Sequence, residues 1–320
     1  MRIVAEELNY VYSEKSKKLA VHALNGVNLT IEAGDFFGII GKTGSGKSTF
    51  VQHLNGLIPT DSKHGKLTVG EFVLSNKKCD YKALRAKVGM VFQYPEYQLF
   101  AETVFEDVEF GLKSFYPNLT KEEKEVMVKT AIETVGLNYE EIKDKSPFDL
   151  SGGQKRRVAI AGVIVSKPEI LVLDEPVAGL DPQGKKEFIS LLHTLHKTTV
   201  KTIIIVSHDM NLVAENCNKI AVFCDGKVAK VGTPKEVFTD YENIKKTGLD
   251  LPLIAFLTQK LQEKGIEIST NLTLENFIKE VFKKHEEVKA KQREGGNRWK
   301  TYLLVNITQP NLSCIKWMQG

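Results

Sequence analysis

Gly41-Lys-Thr-Gly-Ser-Gly-Lys-Ser-Thr49 is the stretch that decides how this chain is to be read. It matches G-x-x-x-x-G-K-[ST], with Gly41, Gly46, Lys47 and Ser48 in register, and it follows the apolar run Phe36 to Ile40, which predicts a buried strand. Between a strand and a helix such a loop has a physical task. Gly44 and Gly46 let the backbone approach a ligand closely, so the N–H groups of the loop, Lys42, Thr43 and Ser45 included, can point at phosphate oxygens. A helix opening near Lys47 turns its positive end to the same anion. Lys47 then neutralises β- and γ-phosphate charge, Ser48 offers a hydroxyl to Mg²⁺, and Thr49 prolongs the polar helix start. A Gly-rich turn can match by chance, so the rest of the chain must decide.

The 320 residues suffice for one large or two modest domains with a real core, and 42% hydrophobic with 26% charged residues is ordinary globular composition. No apolar run approaches the ~18 residues of a membrane span, and Met1 to Glu7 lacks the apolar segment of a signal peptide. A cytosolic chain with at most a peripheral membrane role is therefore expected. Cys79, Cys217, Cys224 and Cys314 show no C-x-x-C spacing and read as reduced thiols, two of them buried. A net charge of +4 is too weak to indicate nucleic acid, and Arg293, Arg298, Lys300 and Lys316 against Glu294 place +3 of it in the last 28 residues.

Upstream of the loop, Ile3 to Tyr12 and Val27 to Ile31 predict an antiparallel lead-in sheet, with polar Ser13 to Lys18 as its turn. Tyr10 fits a partly buried strand position, whereas Tyr12 suits either that or stacking on a base. Downstream, a helix from Lys47 to Asn55 closes at Gly56, and Gly65 to Leu74 resumes the strand pattern. Val88 to Phe92 is another strand. The loop Gln93-Tyr-Pro-Glu-Tyr-Gln-Leu-Phe100 after it keeps four large apolar side chains, which predicts a docking surface, packing against the body being the alternative. Val104 to Leu112 and Thr120 to Val135 have helical spacing, the second opening with a capping box.

Leu150-Ser-Gly-Gly-Gln-Lys-Arg-Arg157 is a second constellation. Ser151, Gly152 and Gly153 can open a helix and present bare N–H groups and a hydroxyl to an anion, with Gln154 and three cations behind them. The apolar strand Ile170 to Leu173 then delivers Asp174 and Glu175 to the carboxyl edge of a sheet, where such folds bind ligands. There the first carboxylate can reach Mg²⁺ and the second can polarise an attacking water. Thr202 to Val206 brings His208 to the same edge, in hydrogen-bonding reach of a γ-phosphate. Asp225-Gly226 predicts a two-residue hairpin between Ile220–Cys224 and Lys227–Val231, and Thr233-Pro-Lys-Glu236 starts a helix.

From Leu251 the texture changes. Leu253, Leu257 and Leu261 recur at helical spacing, and Phe277, Ile278, Val281 and Phe282 form a second stripe. Residues 293–320 break the pattern and hold both tryptophans, with Thr301 to Asn306 a possible strand; no function is assigned to them, and hydrolysis is expected not to need them.

Taken together, Gly41 to Thr49, Gln93, Leu150 to Gln154, Leu173-Asp-Glu-Pro176, Ala178-Gly-Leu-Asp181 and His208 resemble the nucleotide-binding subunit of an ATP-binding cassette (ABC) transporter in order, identity and spacing. The loop Gln93 to Phe100, and Leu251-Pro252 before a Leu-repeat helix, are similar to the ATPases of energy-coupling factor (ECF) transporters, more the second of the two paralogous ATPases than the first. The resemblance implies an α/β fold: a P-loop NTPase of the ABC type, with a RecA-like parallel sheet core, an antiparallel lead-in and a helical subdomain at about 94–165. It implies an ATPase domain over 2–245, a helical dimerisation appendage at 246–292 and an irregular tail at 293–320. ATP and Mg²⁺ are the implied ligands. Tyr12 would stack on adenine, Lys47 hold phosphates, Ser48, Gln93 and Asp174 serve Mg²⁺, Glu175 act as base and His208 sense the γ-phosphate. Ser151, Gly152, Gly153 and Gln154 would complete the ATP site of a partner subunit, with Asp181 at the interface and Tyr94, Pro95, Glu96, Tyr97, Gln98, Leu99 and Phe100 docking a membrane subunit.

The implied partners are a second paralogous ATPase, a transmembrane coupling subunit and a substrate-binding membrane subunit, at the cytoplasmic face of the cell membrane. The implied function is energy coupling for uptake of vitamins or similar micronutrients, a cobalt or nickel importer being an alternative. A soluble ABC ATPase acting on DNA or ribosomes would need long heptad coiled coil or two cassettes, and neither pattern is in the sequence. A P-loop kinase is argued against by Leu150 to Gln154.

Overall fold

A computed structural model describes residues 1–12, 20–76, 78–269 and 274–294, with side chains described as far as residue 287. The expected turn at Ser13 to Lys18 and the tail from residue 295, with its possible strand, lie outside the described residues.

The strands in chain order are β1 (Ile3–Tyr12), β2 (Val21–Ile31), β3 (Phe36–Gly41), β4 (Lys66–Val69), β5 (Phe72–Val73), β6 (Val88–Val91), β7 (Ile170–Asp174), β8 (Thr202–Val206), β9 (Lys219–Cys224) and β10 (Lys227–Gly232). Six of them form a central sheet in the order β10-β9-β3-β8-β7-β6, parallel except for the β10 edge. Both faces of this sheet are covered, which is why its strands read as unbroken apolar runs. Alternation assigns the faces: Phe36, Ile40, Leu171, Leu173, Ile203 and Ile205 belong to one core cluster, and Phe37, Ile39, Ile170, Val172, Ile204 and Val206 to the other. Full burial of each such side chain stabilises by about 1.5–3 kcal/mol.

The second core is closed by the antiparallel sheet β2-β1-β4-β5. Here β2 begins six residues before the expected Val27, because Gly26 (φ 71) and register shifts against β1 interrupt the alternation without ending the strand. The helix α1 (Lys47–Leu54) covers the same core through Phe50, Val51 and Leu54. Next, α2 (Tyr81–Lys87) packs beside β6.

The first core lies under a helical subdomain. It contains α3 (Val104–Phe115), α4 (Lys121–Thr134), α5 (Tyr139–Ile142) and α6 (Gly152–Ile164), with capping boxes at Thr103/Glu106, Thr120/Glu123 and Ser151/Gln154 fixing three of the four starts. Then α7 (Pro182–Thr198) and α8 (Met210–Asn216) follow β7 and β8. Asp225 (φ 49) and Gly226 (φ 75) make the expected hairpin between β9 and β10, and α9 (Pro234–Phe238) starts at the Thr233 capping box.

After α10 (Tyr241–Thr247), α11 (Leu253–Glu263) and α12 (Leu274–Glu294) share a separate small core of Ile254, Leu261, Ile266, Ile268, Phe277 and Val281. Leu253, Ile278 and Phe282 of the predicted stripes stay exposed, since a helix face one residue out of phase turns away from the cluster. Of the three described cysteines only Cys217 is buried, Cys79 and Cys224 being half-buried, and Cys314 lies outside the described residues.

Candidate active site

Parallel topology brings three chain crossings to one edge. The strand β8 lies between β3 and β7, so the loop after Gly41, the carboxylates at the end of β7 and the turn after Val206 are neighbours although far apart in sequence. In the Gly-rich loop, Gly46 has φ 98, and a Cβ there would lie 2.3 Å from the Ala23 carbonyl oxygen. At Gly41 a Cβ would lie 2.4 Å from the Phe223 carbonyl oxygen, so neighbouring backbones require glycine at both ends of the loop. The hairpin adds a brace: Gly226 N donates to Ser45 O at 3.1 Å.

Lys47 is buried, and its Nζ donates to the carbonyls of Gly41 (2.7 Å) and Lys42 (2.9 Å). Burial lowers its pKa, against the opposing pull of Glu175 and Asp174. The Tyr12 hydroxyl lies 3.2 Å from Thr49 Oγ1, and its ring packs edge-on against Tyr10, which packs edge-on against His53. Tyr12 is thus tethered beside the helix start while the residue stays 39% exposed.

Asp174 is buried, and its Oδ1 is buried without a hydrogen-bond partner. Burial raises its pKa; the Ser48 hydroxyl beside it pulls down, the Glu175 charge pushes up, and Lys47 pulls down. An orphaned carboxylate oxygen beside a hydroxyl and a lysine suits a hard cation with oxygen ligands. Glu175 has a left-handed backbone (φ 49) and is pinned to β8 by its N–H on Val206 O at 2.9 Å. Its Oε2 lies 2.8 Å from His208 Nδ1, and because a carboxylate accepts, that ring nitrogen carries the proton. His208 is otherwise open to solvent, with its side chain 77% exposed. Behind it, Asp209 caps α8 and pairs with Lys185 at 3.1 Å.

Gln93 is exposed two residues beyond β6, next to the β7 end that carries Asp174. The segment after it is a turn of 3₁₀ helix, Pro95–Gln98. Tyr94, Tyr97 and Phe100 are exposed, whereas Leu99 and Pro95 are buried, so the expected row of four exposed apolar groups is three. Leu99 turns inward because the short helix places it over the first core. Glu96 faces inward too, paired with Arg156.

Ser151 caps α6 in a reciprocal box with Gln154, its N–H donating to Gln154 Oε1 at 3.0 Å and its Oγ accepting from Gln154 N at 3.3 Å. Gly152 and Gly153 are exposed, with nothing within 4 Å of an added Cβ. Among the described residues no hydrogen bond joins this helix start to the Gly41–Thr49 loop. Asp181 is the exposed N-cap of α7, accepting from Gly184 N at 2.6 Å.

A family profile described as ABC transporter matches residues 24–178. The Energy-coupling factor transporter ATP-binding protein EcfA2 of Clostridium tetani is 45% identical over 284 residues, covering 88% of this chain and 97% of the relative. The chain belongs to the energy-coupling factor transporter ATP-binding proteins, within the ABC transporter family. Among solved structures, cbiO1 from Clostridium perfringens, described as part of the ABC transporter complex cbiONQ, is similar with a TM-score of 0.66 and 41% identity, covering 80% of this chain and 98% of that one. The ATP-binding cassette MJ0796, in a dimeric post-hydrolysis state with ADP and Pi, is similar with a TM-score of 0.63 and 29% identity, covering 72% of this chain and 98% of that one.

Family membership makes the protein an ABC-type ATPase that binds ATP and couples its hydrolysis to transport, and the α/β cassette fold expected from the motifs is the fold found. It is a component of the kind that works in multi-subunit transporters, and no described helix is long and apolar enough to cross a membrane. The structure brings Gly41 to Thr49, Asp174, Glu175 and His208 to one edge, and among the described residues no hydrogen bond ties Ser151 to Gln154 to them. Arg156 was hidden in the sequence among three adjacent cations. Its helical spacing to buried Ala159 and Ile160 is the signal that could have singled it out.

Proposed function

We propose that this ECF-type ATPase binds Mg²⁺-ATP across Gly41 to Thr49 and hydrolyses it where it meets a second, paralogous cassette. Tyr12 stacks on the base, Lys47 holds the phosphates, Glu175 orients and deprotonates the attacking water, and His208 holds Glu175 and the γ-phosphate. Ser48, Asp174 and Gln93 hold Mg²⁺, which when bound neutralises phosphate charge. The orphaned Oδ1 of Asp174 carries this reading, since a buried carboxylate oxygen left without a partner is costly unless a cation completes it. Ser151, Gly152, Gly153, Gln154 and Asp181 face the partner's nucleotide; the exposure of Ser151, Gly152, Gly153 and Asp181, and the absence among the described residues of hydrogen bonds from this helix start to its own Gly-rich loop, support that assignment.

The same reading places the chain at the cytoplasmic face of the membrane, held by a transmembrane coupling subunit and a substrate-binding subunit that chooses the solute, a vitamin or similar micronutrient. A groove of about 400 Å³ between the sheet and the helical subdomain supports docking there. It is lined by Leu57, Phe92, Leu99, Phe100, Phe110 and Phe115, and the exposed Phe100 and Phe110 rings pack edge-on at 5.0 Å along it. An apolar groove rimmed by exposed aromatic rings fits a short amphipathic helix. Replacing Tyr97 and Phe100 together by Ser leaves the buried Leu99 intact and should abolish solute uptake in proteoliposomes while ATP binding persists. Normal uptake by that variant overturns the docking assignment. The appendage at 246–292 serves dimerisation, supported by its own core and the exposed Leu253, Ile278 and Phe282.

A further inference from the structure

Arg156 lies on α6 at 4% exposure, where a guanidinium is tolerated only if its charge and N–H groups are matched. Two separate segments match it. Nε donates to Glu96 Oε2 at 3.1 Å and Nη2 to Glu96 Oε1 at 3.0 Å, a bidentate pair with the 3₁₀ turn after Gln93. Nη1 donates to Pro176 O at 3.3 Å and Nη2 also to Ala178 O at 3.2 Å, both just beyond Glu175. Tyr94 lies beside the same stretch, since a Cβ on Gly179 would lie 3.4 Å from its Cε1. One buried cation therefore fastens the segment proposed to dock a membrane subunit to the turn that sets the Glu175 backbone.

We propose that Arg156 is a positioning residue that passes displacement of the Pro95–Gln98 turn to Glu175. The guanidinium is planar and rigid, so a carboxylate that moves at one edge of the fork carries with it the carbonyls held at the other. Those carbonyls are one and three residues after Glu175, and Ala178 N closes the turn on Glu175 O at 3.2 Å. Glu175 sits in a left-handed conformation that its surroundings must maintain, so releasing Pro176 and Ala178 lets it relax away from the attacking geometry. A lysine here can hold Glu96 as a point charge but cannot grip carboxylate and both carbonyls together.

The direction of the signal rests on the docking reading of Tyr94 to Phe100; the fastening of Glu175 does not. The test uses the assembled transporter in proteoliposomes with the partner ATPase silenced, and reads kcat, KM for ATP, and solute taken up per ATP hydrolysed. Arg156→Met should keep KM near wild type and lower kcat on the order of tenfold to a hundredfold, the scale of a small misplacement of a catalytic group. Arg156→Lys should recover part of that loss. Glu96→Gln, which keeps the side-chain size and both carbonyl contacts, should lower uptake per ATP by more than it lowers hydrolysis. Wild-type kcat and uptake per ATP in Arg156→Met would overturn the proposal, as would a loss of kcat that follows a lowered melting temperature and disappears on cooling. If Arg156→Met does not assemble, Arg156→Lys and Glu96→Gln decide by the same two ratios. Normal uptake by the Tyr97/Phe100 variant, with lowered kcat at unchanged KM in Arg156→Met, would sink the docking reading and leave the positioning role standing.

Discussion

Replacing Glu175 by Gln exchanges one carboxylate oxygen for an amide nitrogen and removes one negative charge beside Lys47 and Asp174. The structure separates the catalytic from the structural cost. Glu175 is held by its backbone on β8, a bond the substitution does not touch, and its side-chain contact is to a His208 that is 77% exposed. Solvent screens that contact, so its loss changes stability by at most ~1 kcal/mol. Loss of a positioned general base costs on the order of a hundredfold in turnover, or about 2.7 kcal/mol of barrier. ATP affinity should hold or tighten, because a carboxylate that repels the γ-phosphate is gone, and the ATP-bound dimer should persist. Lys47→Ala should instead weaken nucleotide binding itself, since the charge that meets the phosphates is removed. The assay is single-site turnover and trapped nucleotide in a complex whose partner has been silenced. Wild-type turnover by Glu175→Gln there, with the melting temperature within a few degrees of wild type, refutes the assignment.

Three further outcomes follow from the same structure. Burial first, and the Glu175 charge, raise the Asp174 pKa above its unfolded value, so in chelator the unfolded chain gives up this proton at lower pH than the native one does. Stability from this group therefore falls as pH rises through the ordinary Asp range and stays lowered above the native pKa; Asp174→Asn should melt higher than wild type at pH 7 and converge with it in acid, and parallel melting curves at both pH values would refute this. Charging the exposed appendage face by Ile278→Lys with Phe282→Glu should shift sedimentation toward monomer with the melting temperature little changed, since both side chains lie outside the small core. A chain ending at Gln292 should hydrolyse ATP like the full chain, because no motif residue lies beyond it; lost turnover in an assembled complex would count against this.

The local chemistry is legible along the chain. Glycines at 41 and 46, a lysine and a serine after them, two carboxylates behind four apolar residues and a capping serine before two glycines each state a requirement that neighbouring residues can express. Those requirements are local because backbone conformation, helix capping and strand burial are set within a few residues. The parallel core strands were legible for the same reason, being apolar on both faces, whereas the true start of β2 was not, since a bulge at Gly26 breaks alternation without breaking pairing. Which segments meet is settled by the fold. Placing β8 between β3 and β7 sets His208 against Glu175, and no spacing along the chain encodes that contact. The fate of long side chains was decided there as well. Leu99 turned from a docking group into core, and Arg156, one of three adjacent cations, became the buried tie between Glu96 and the Pro176 and Ala178 carbonyls. The physical reason is that burial of an apolar or charged side chain depends on what packs from distant parts of the chain, and pairing of a buried charge depends on partners that only folding brings within reach.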